Sequence, residues 1–152
     1  MNLELALAAG ISGGTLFLIA AIGELFAERS GILNLGVQGM MFMGAMVGFW
    51  IGSDVNPWLG LLLAMVAGAL LAGLHGIVTI HLQANQIVSG LALTFLGTGL
   101  ALVLGDGLAP GSPPLLPVIT VPLLSEIPIS GTVFFTDHSI LVYVGYLLVP
   151  VT

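Results

Sequence analysis

The stretch ELFAERSGILNLGVQGMMFMG, residues 24–44, decides how the chain is read. It holds Arg29, the only Lys or Arg in the protein, and Glu24 and Glu28, two of its seven carboxylates. From this charged cluster a glycine-rich apolar run leads directly into a segment with the character of a membrane span. A basic residue beside a long apolar segment orients a membrane protein. Polar Asn34 and Gln38, just inside that segment, need a physical reason to be there.

Composition sets the solvent. The chain has 152 residues, 58% hydrophobic and 5% charged, with a mean hydropathy of +1.21. Soluble domains carry roughly 25% charged residues, so this chain cannot cover itself with a solvated surface. Its solvent is lipid. The net charge of −6 comes from scattered acids, and the lack of basic patches argues against binding nucleic acid. No cysteine is present, which excludes disulfides, thiolate catalysis and cysteine-ligated metals. The first apolar segment lacks a basic n-region and reads as a retained span, not a removed signal peptide.

A helix needs about 20 apolar residues to cross the hydrocarbon core. Spans are expected at 5–23, 33–51, 58–80, 87–104 and 139–152, making an all-α, polytopic transmembrane helix bundle of about five spans. Asn56-Pro57 marks the turn into the third. Residues 105–137 carry Pro110, Pro113, Pro114, Pro117, Pro122 and Pro128, too many for a straight helix, and read as a proline-rich external segment. Arg29 puts the connection between the first two spans on the cytoplasmic side, which places the N-terminus outside.

Small residues recur every fourth position: Gly44, Gly48 and Gly52, then Gly60, Ala64, Gly68, Ala72 and Gly76, then Gly97, Ala101 and Gly105. Such residues share one helix face and let spans approach closely. The sequence therefore predicts a packed bundle of spans.

The polar residues leave alternatives open. Asn34 and Gln38 are one helical turn apart; they bond neighbouring helices or line a substrate path. Gln83, Asn85, Gln86 and Ser89, followed by Thr94 and Thr98, either cap and back-bond a helix or present its N-terminus to a ligand. Glu24, Glu28 and Arg29 read as a charge cluster at the membrane interface. His75 and His81 are six apart, which does not suit a shared metal, and no metal site is expected. Gly10-Ile11-Ser12-Gly13 matches the GxSG of intramembrane serine proteases, with His75 or His81 as base, a remote alternative resting on four residues. No phosphate-binding P-loop is present, so the chain does not itself hydrolyse nucleotide.

The runs GELFAERSGILNLGVQGMMFMGA (23–45), NPWLGLLLAMVAGALLAGLHGIVTIHL (56–82) and ANQIVSGLALTFLGTGL (84–100) resemble membrane permease subunits of bacterial ABC importers. The branch is that of nucleosides and simple sugars within the ribose and branched-chain amino acid permease superfamily. The resemblance implies a multi-pass subunit of the cytoplasmic (inner) membrane, embedded in the lipid bilayer. Its partners would be two ABC ATPase subunits, a second permease subunit and an external substrate-binding protein. ATP would be bound by those partners, leaving no cofactor in this chain. On this reading Asn34, Gln38, Asn85, Gln86 and Ser89 lie near the transport path or its helix contacts.

Two departures stand out. Position 38 is Gln where the family's motif usually has Glu. The family's subunits are also longer, and their Arg-rich coupling segment would follow a stretch like YLLVPVT (146–152), where this sequence stops. The expectation is an apparently truncated, N-terminal part of a permease. The rival is a non-transporting membrane scaffold or an inactive relic.

Overall fold

The computed structural model describes residues 3–108, 116–120, 133–135 and 138–151. They form two compact units, one built from 1–23 with 115–152, the other from 24–114.

The first helix, α1 (Leu3–Arg29), is 27 residues long, and its last turns belong to the second unit. It runs six residues past the expected span because Glu24-Leu25-Phe26-Ala27-Glu28-Arg29 is made of residues with little objection to a helix. The charged cluster is therefore helical. Gly31 ends it at φ +83°, a left-handed conformation that suits glycine. Its N–H bonds the Glu28 carbonyl at 2.9 Å, and Ile32 N–H reaches back to the Ala27 carbonyl at 3.0 Å. That pair of bonds is a Schellman cap.

The chain does not re-enter a helix at Leu33, as the apolar pattern suggests. Residues 32–34 have no regular structure and 35–36 turn, so α2 begins only at Val37 (Val37–Asp54). Asn34 consequently stands outside the helix that carries Gln38, and the two do not share a helix face. Next come α3 (Pro57–Gly76), a π-helical turn over Ile77–His81, and α4 (Gln86–Gly105). Pro57 opens α3 behind Asn56, whose side chain accepts from Trp58 N–H at 2.8 Å.

Within this unit α2 lies between α3 and α4. Gly44 and Gly48 meet Ala64, and a Cβ on Gly60 would sit 2.6 Å from the Gly48 carbonyl oxygen. The α3 stripe is used only in its first half. Gly68 and Gly76 have open space where a Cβ would go, and Ala72 is exposed. On the other side of α2, a Cβ on Gly97 would lie 2.5 Å from the Gly39 oxygen, and one on Gly39 2.5 Å from the Leu93 oxygen. Two backbones touch there without side chains between them, the contact that spans use where lipid offers no hydrophobic drive. Leu93, 4% exposed, Leu71, Met46 and Ala101 form what core the unit has. Most other large apolar side chains face outward, Phe95 at 76% and Val103 at 73% exposed. Such a surface suits lipid.

Among the described residues, α1, α3 with its π turn, and α4 are long and apolar enough to cross a membrane: Ala6–Arg29, Pro57–His81 and Gln86–Gly105. The polytopic, all-α bundle of the sequence reading is thereby seen. Helix α2 has 18 residues, about 27 Å at 1.5 Å per residue.

In the first unit α1 packs against α5 (Ile140–Leu148), with a Cβ on Gly145 only 3.0 Å from Thr15 Cγ2. A short antiparallel pairing joins β1 (Val118–Ile119) to β2 (His138–Ser139). The Tyr143 hydroxyl donates to the Ile119 carbonyl at 2.8 Å. Of the six prolines named between 105 and 137, only Pro117 falls within the described residues.

Candidate functional site

The break between α1 and α2, Gly31-Ile32-Leu33-Asn34-Leu35-Gly36, is the candidate site. Backbone outside a helix or sheet has no ladder to pair with, and each buried N–H or C=O must find a partner. Here side chains from three helices supply them. From α4, Gln86 accepts Leu33 N–H at Oε1 (2.7 Å) and donates from Nε2 to the Gly31 carbonyl (3.3 Å). Thr94 donates to the Leu35 carbonyl at 2.8 Å as well as to Gly90 in its own helix. From α1, Glu24 Oε1 accepts Asn34 N–H at 2.8 Å. From α3, His75 reaches the Leu33 carbonyl at 3.3 Å through Nε2.

His75 is 3% exposed, and its tautomer follows from its partners. A carbonyl only accepts, so Nε2 carries the proton. In the neutral ring Nδ1 is then an acceptor, and the Ser89 hydroxyl donates to it at 3.0 Å. Ser89 thus acts on the break through His75. Thr79 bonds the His75 carbonyl at 2.8 Å from within the π turn.

The break lies along α4 and not beyond its end. Its ties run from Gln86 to Thr94, eight residues or about 12 Å up a helix apolar enough to cross. Gly90 makes room for it, since a Cβ there would be 2.7 Å from Leu35 N. Non-helical backbone at such depth persists only where protein surrounds it or water reaches it.

Of the residues expected near a transport path, Asn34, Gln86 and Ser89 come together here. Asn34 Oδ1 accepts Gly36 N–H at 2.8 Å, an Asx turn that shapes the entry to α2. Asn85 caps α4, accepting from Ile87 and Val88 N–H at 3.0 and 3.1 Å, and does not touch the break. Gln38 is exposed on the first turn of α2. Glu24 joins the site, whereas Glu28 and Arg29 stay exposed on the last turn of α1. The sequence reading missed His75 and the second bond of Thr94. The available signal was Gly31 and Gly36 bracketing Asn34, a pattern that interrupts a helix.

Ser12, matched above with His75 or His81 as base, has another imidazole as its partner within the first unit. Its hydroxyl donates to Nδ1 of His138 at 3.0 Å, and His138, 2% exposed, donates from Nε2 to the Val133 carbonyl at 2.8 Å. This repeats the serine–imidazole–carbonyl bridge of Ser89, His75 and Leu33. Ser12 lies inside α1, where backbone N–H groups are spent on the helix ladder and cannot stabilise an oxyanion. The bridge ties chain segments together.

Residues 6–126 match a family described as the permease component of the branched-chain amino acid transport system. TsgC13 of Haloferax volcanii, provisionally named a glucose ABC transporter permease, is 40% identical over 148 residues, 94% of this chain and 45% of its own. The guanosine ABC transporter permease NupQ of Bacillus subtilis is 33% identical, over 79% of this chain and 41% of its own. The nucleoside ABC transporter permease NupC of Lactococcus lactis is 32% identical, over 91% and 47%. This chain therefore spans about half the length of these relatives. No solved structure matches it. With three membrane-capable helices and a family match across most of its length, the chain belongs to the branched-chain amino acid transport permease family and is a multi-pass membrane protein.

Proposed function

We propose that the chain forms part of the membrane-spanning subunit of an ATP-driven importer for nucleosides or simple sugars, and that the 31–36 break lies on its transport path. The break carries this reading. Discontinuous spans, with irregular backbone at membrane depth, are where transporters place their substrate sites. The names of the three relatives support nucleosides and sugars as cargo. The partners on this reading are ATPase subunits that bind the ATP, a second permease subunit and an external binding protein. The membrane is the cytoplasmic one, with the N-terminus outside and Arg29 on the inner side.

The test is uptake. The chain is expressed with the permease segment that its longer relatives carry and with candidate ATPase and binding-protein subunits, in cells lacking other nucleoside importers. ATP-dependent accumulation of labelled guanosine or glucose, lost when this chain is omitted, is the expected result. A verified complex that accumulates neither, nor any other nucleoside or simple sugar, overturns the reading.

A further inference from the structure

Glu24 is only half engaged. Oε1 holds Asn34 N–H, but Oε2 is shielded and has no hydrogen-bond partner among the described residues. A buried carboxylate oxygen left unpaired is costly, and ionisable groups inside spans are retained for a task. Asn34, joined to Glu24 by that same bond, has the complementary surplus. Its Oδ1 is fixed on Gly36 N–H, which points the amide nitrogen away towards Met40 Sδ at 3.7 Å. A thioether is a weak acceptor, so this –NH2 has donor capacity to spare.

We propose that Glu24 and Asn34 form a subsite for the paired hydroxyls of a neutral polyol such as a ribose ring, a deepening that rests on the importer reading above. A hydroxyl both donates and accepts. One donates to Glu24 Oε2 while its neighbour accepts from Asn34 Nδ2. An ammonium would satisfy the acid but oppose the amide donors. An anion meets a carboxylate in a chain with a single Arg and a net charge of −6. Because Oε2 is shielded, a ligand reaches it only when the groups packed around it give way.

The test uses the full chain in lipid nanodiscs, with labelled guanosine as probe and hydrogen exchange of residues 31–38 as the structural readout. The expected result is saturable binding that slows exchange in this segment. On the unaltered chain 2′,3′-dideoxyguanosine, which keeps the base but lacks both ring hydroxyls, binds at least about tenfold more weakly, as loss of a hydrogen bond to a charged group requires. Free guanine fails to compete. Glu24→Gln weakens guanosine by a similar factor. No saturable binding, equal affinity for the dideoxy compound, competition by guanine, or unchanged affinity in Glu24→Gln each overturns the subsite. Uptake by the assembled transporter that proceeds regardless of these results leaves the importer reading standing and removes only the subsite.

Discussion

His75, buried in the last turn of α3, donates its Nε2 proton to the backbone carbonyl of Leu33, forty-two residues earlier in the chain. This bond joins the third helix to the break between the first two, and Ser89 on α4 fixes the ring from its other side. One imidazole therefore ties three chain segments at a place where lipid could not satisfy the backbone.

Removing that ring should loosen the break before it unfolds the bundle. His75→Leu leaves the Leu33 carbonyl and the Ser89 hydroxyl unpaired, at about 1–3 kcal/mol for a buried polar group. Hydrogen exchange of detergent-solubilised protein should speed up at residues 33–36 and stay unchanged at Gly44–Gly52. Acceleration spread evenly over α2 would mean that His75 supports packing and not the break.

Gln86 makes two bonds of opposite polarity, so its isosteric acid is informative. Gln86→Glu keeps the acceptor for Leu33 N–H and loses the donor for the Gly31 carbonyl. The apparent Tm should fall in Gln86→Glu and fall further in Gln86→Ala. An unchanged Tm in Gln86→Ala would show that the clamp contributes nothing.

The glycine contacts separate two classes of position that look alike in the sequence. Gly97→Ala puts a methyl 2.5 Å from the Gly39 oxygen, with the Gly39 backbone unable to yield cheaply, and overpacking of this kind costs about 1–3 kcal/mol. Gly68→Ala meets open space and should be neutral or stabilising, by up to about 1 kcal/mol from helix propensity. Thermal melts of the two variants in one detergent decide it. Equal destabilisation would contradict the packing.

Caps give a smaller effect. Asn85→Ala removes the acceptor for Ile87 and Val88 N–H and should cost about 0.5–2 kcal/mol. Asn85→Asp or Asn85→Ser should restore most of it in the same melts. Because Asn85 does not touch the break, exchange at 31–36 should be unaffected.

These positions also show what the sequence could reveal. Spans, the Asn56-Pro57 helix start and the Asn85 cap follow from local rules, because their partners lie within a turn of them. The Gly44–Gly48 face was legible because its own spacing of four puts both glycines on one side of α2, although their partner Ala64 lies on α3. Gly39 was not, since it falls outside the spacing of four and its partner Gly97 lies on another helix. The late start of α2 was hidden because hydropathy registers Ile32, Leu33 and Leu35 as apolar whatever their backbone does. The links from His75 to Leu33 and from Thr94 to Leu35 depend on how helices meet, which no local spacing encodes.

The absence of cysteine makes one measurement decisive for the central claim, that the break lies on a path reached by water. Single substitutions Leu33→Cys, Leu35→Cys and Gln38→Cys, with the exposed apolar Phe95→Cys and Val103→Cys as references, are reconstituted with the proposed permease, ATPase and binding-protein partners and treated with a membrane-impermeant maleimide. The expected result is labelling at 33, 35 or 38 that guanosine slows, with none at 95 and 103. Positions 33, 35 and 38 as unreactive as 95 and 103, with or without guanosine, would contradict a transport path at the break.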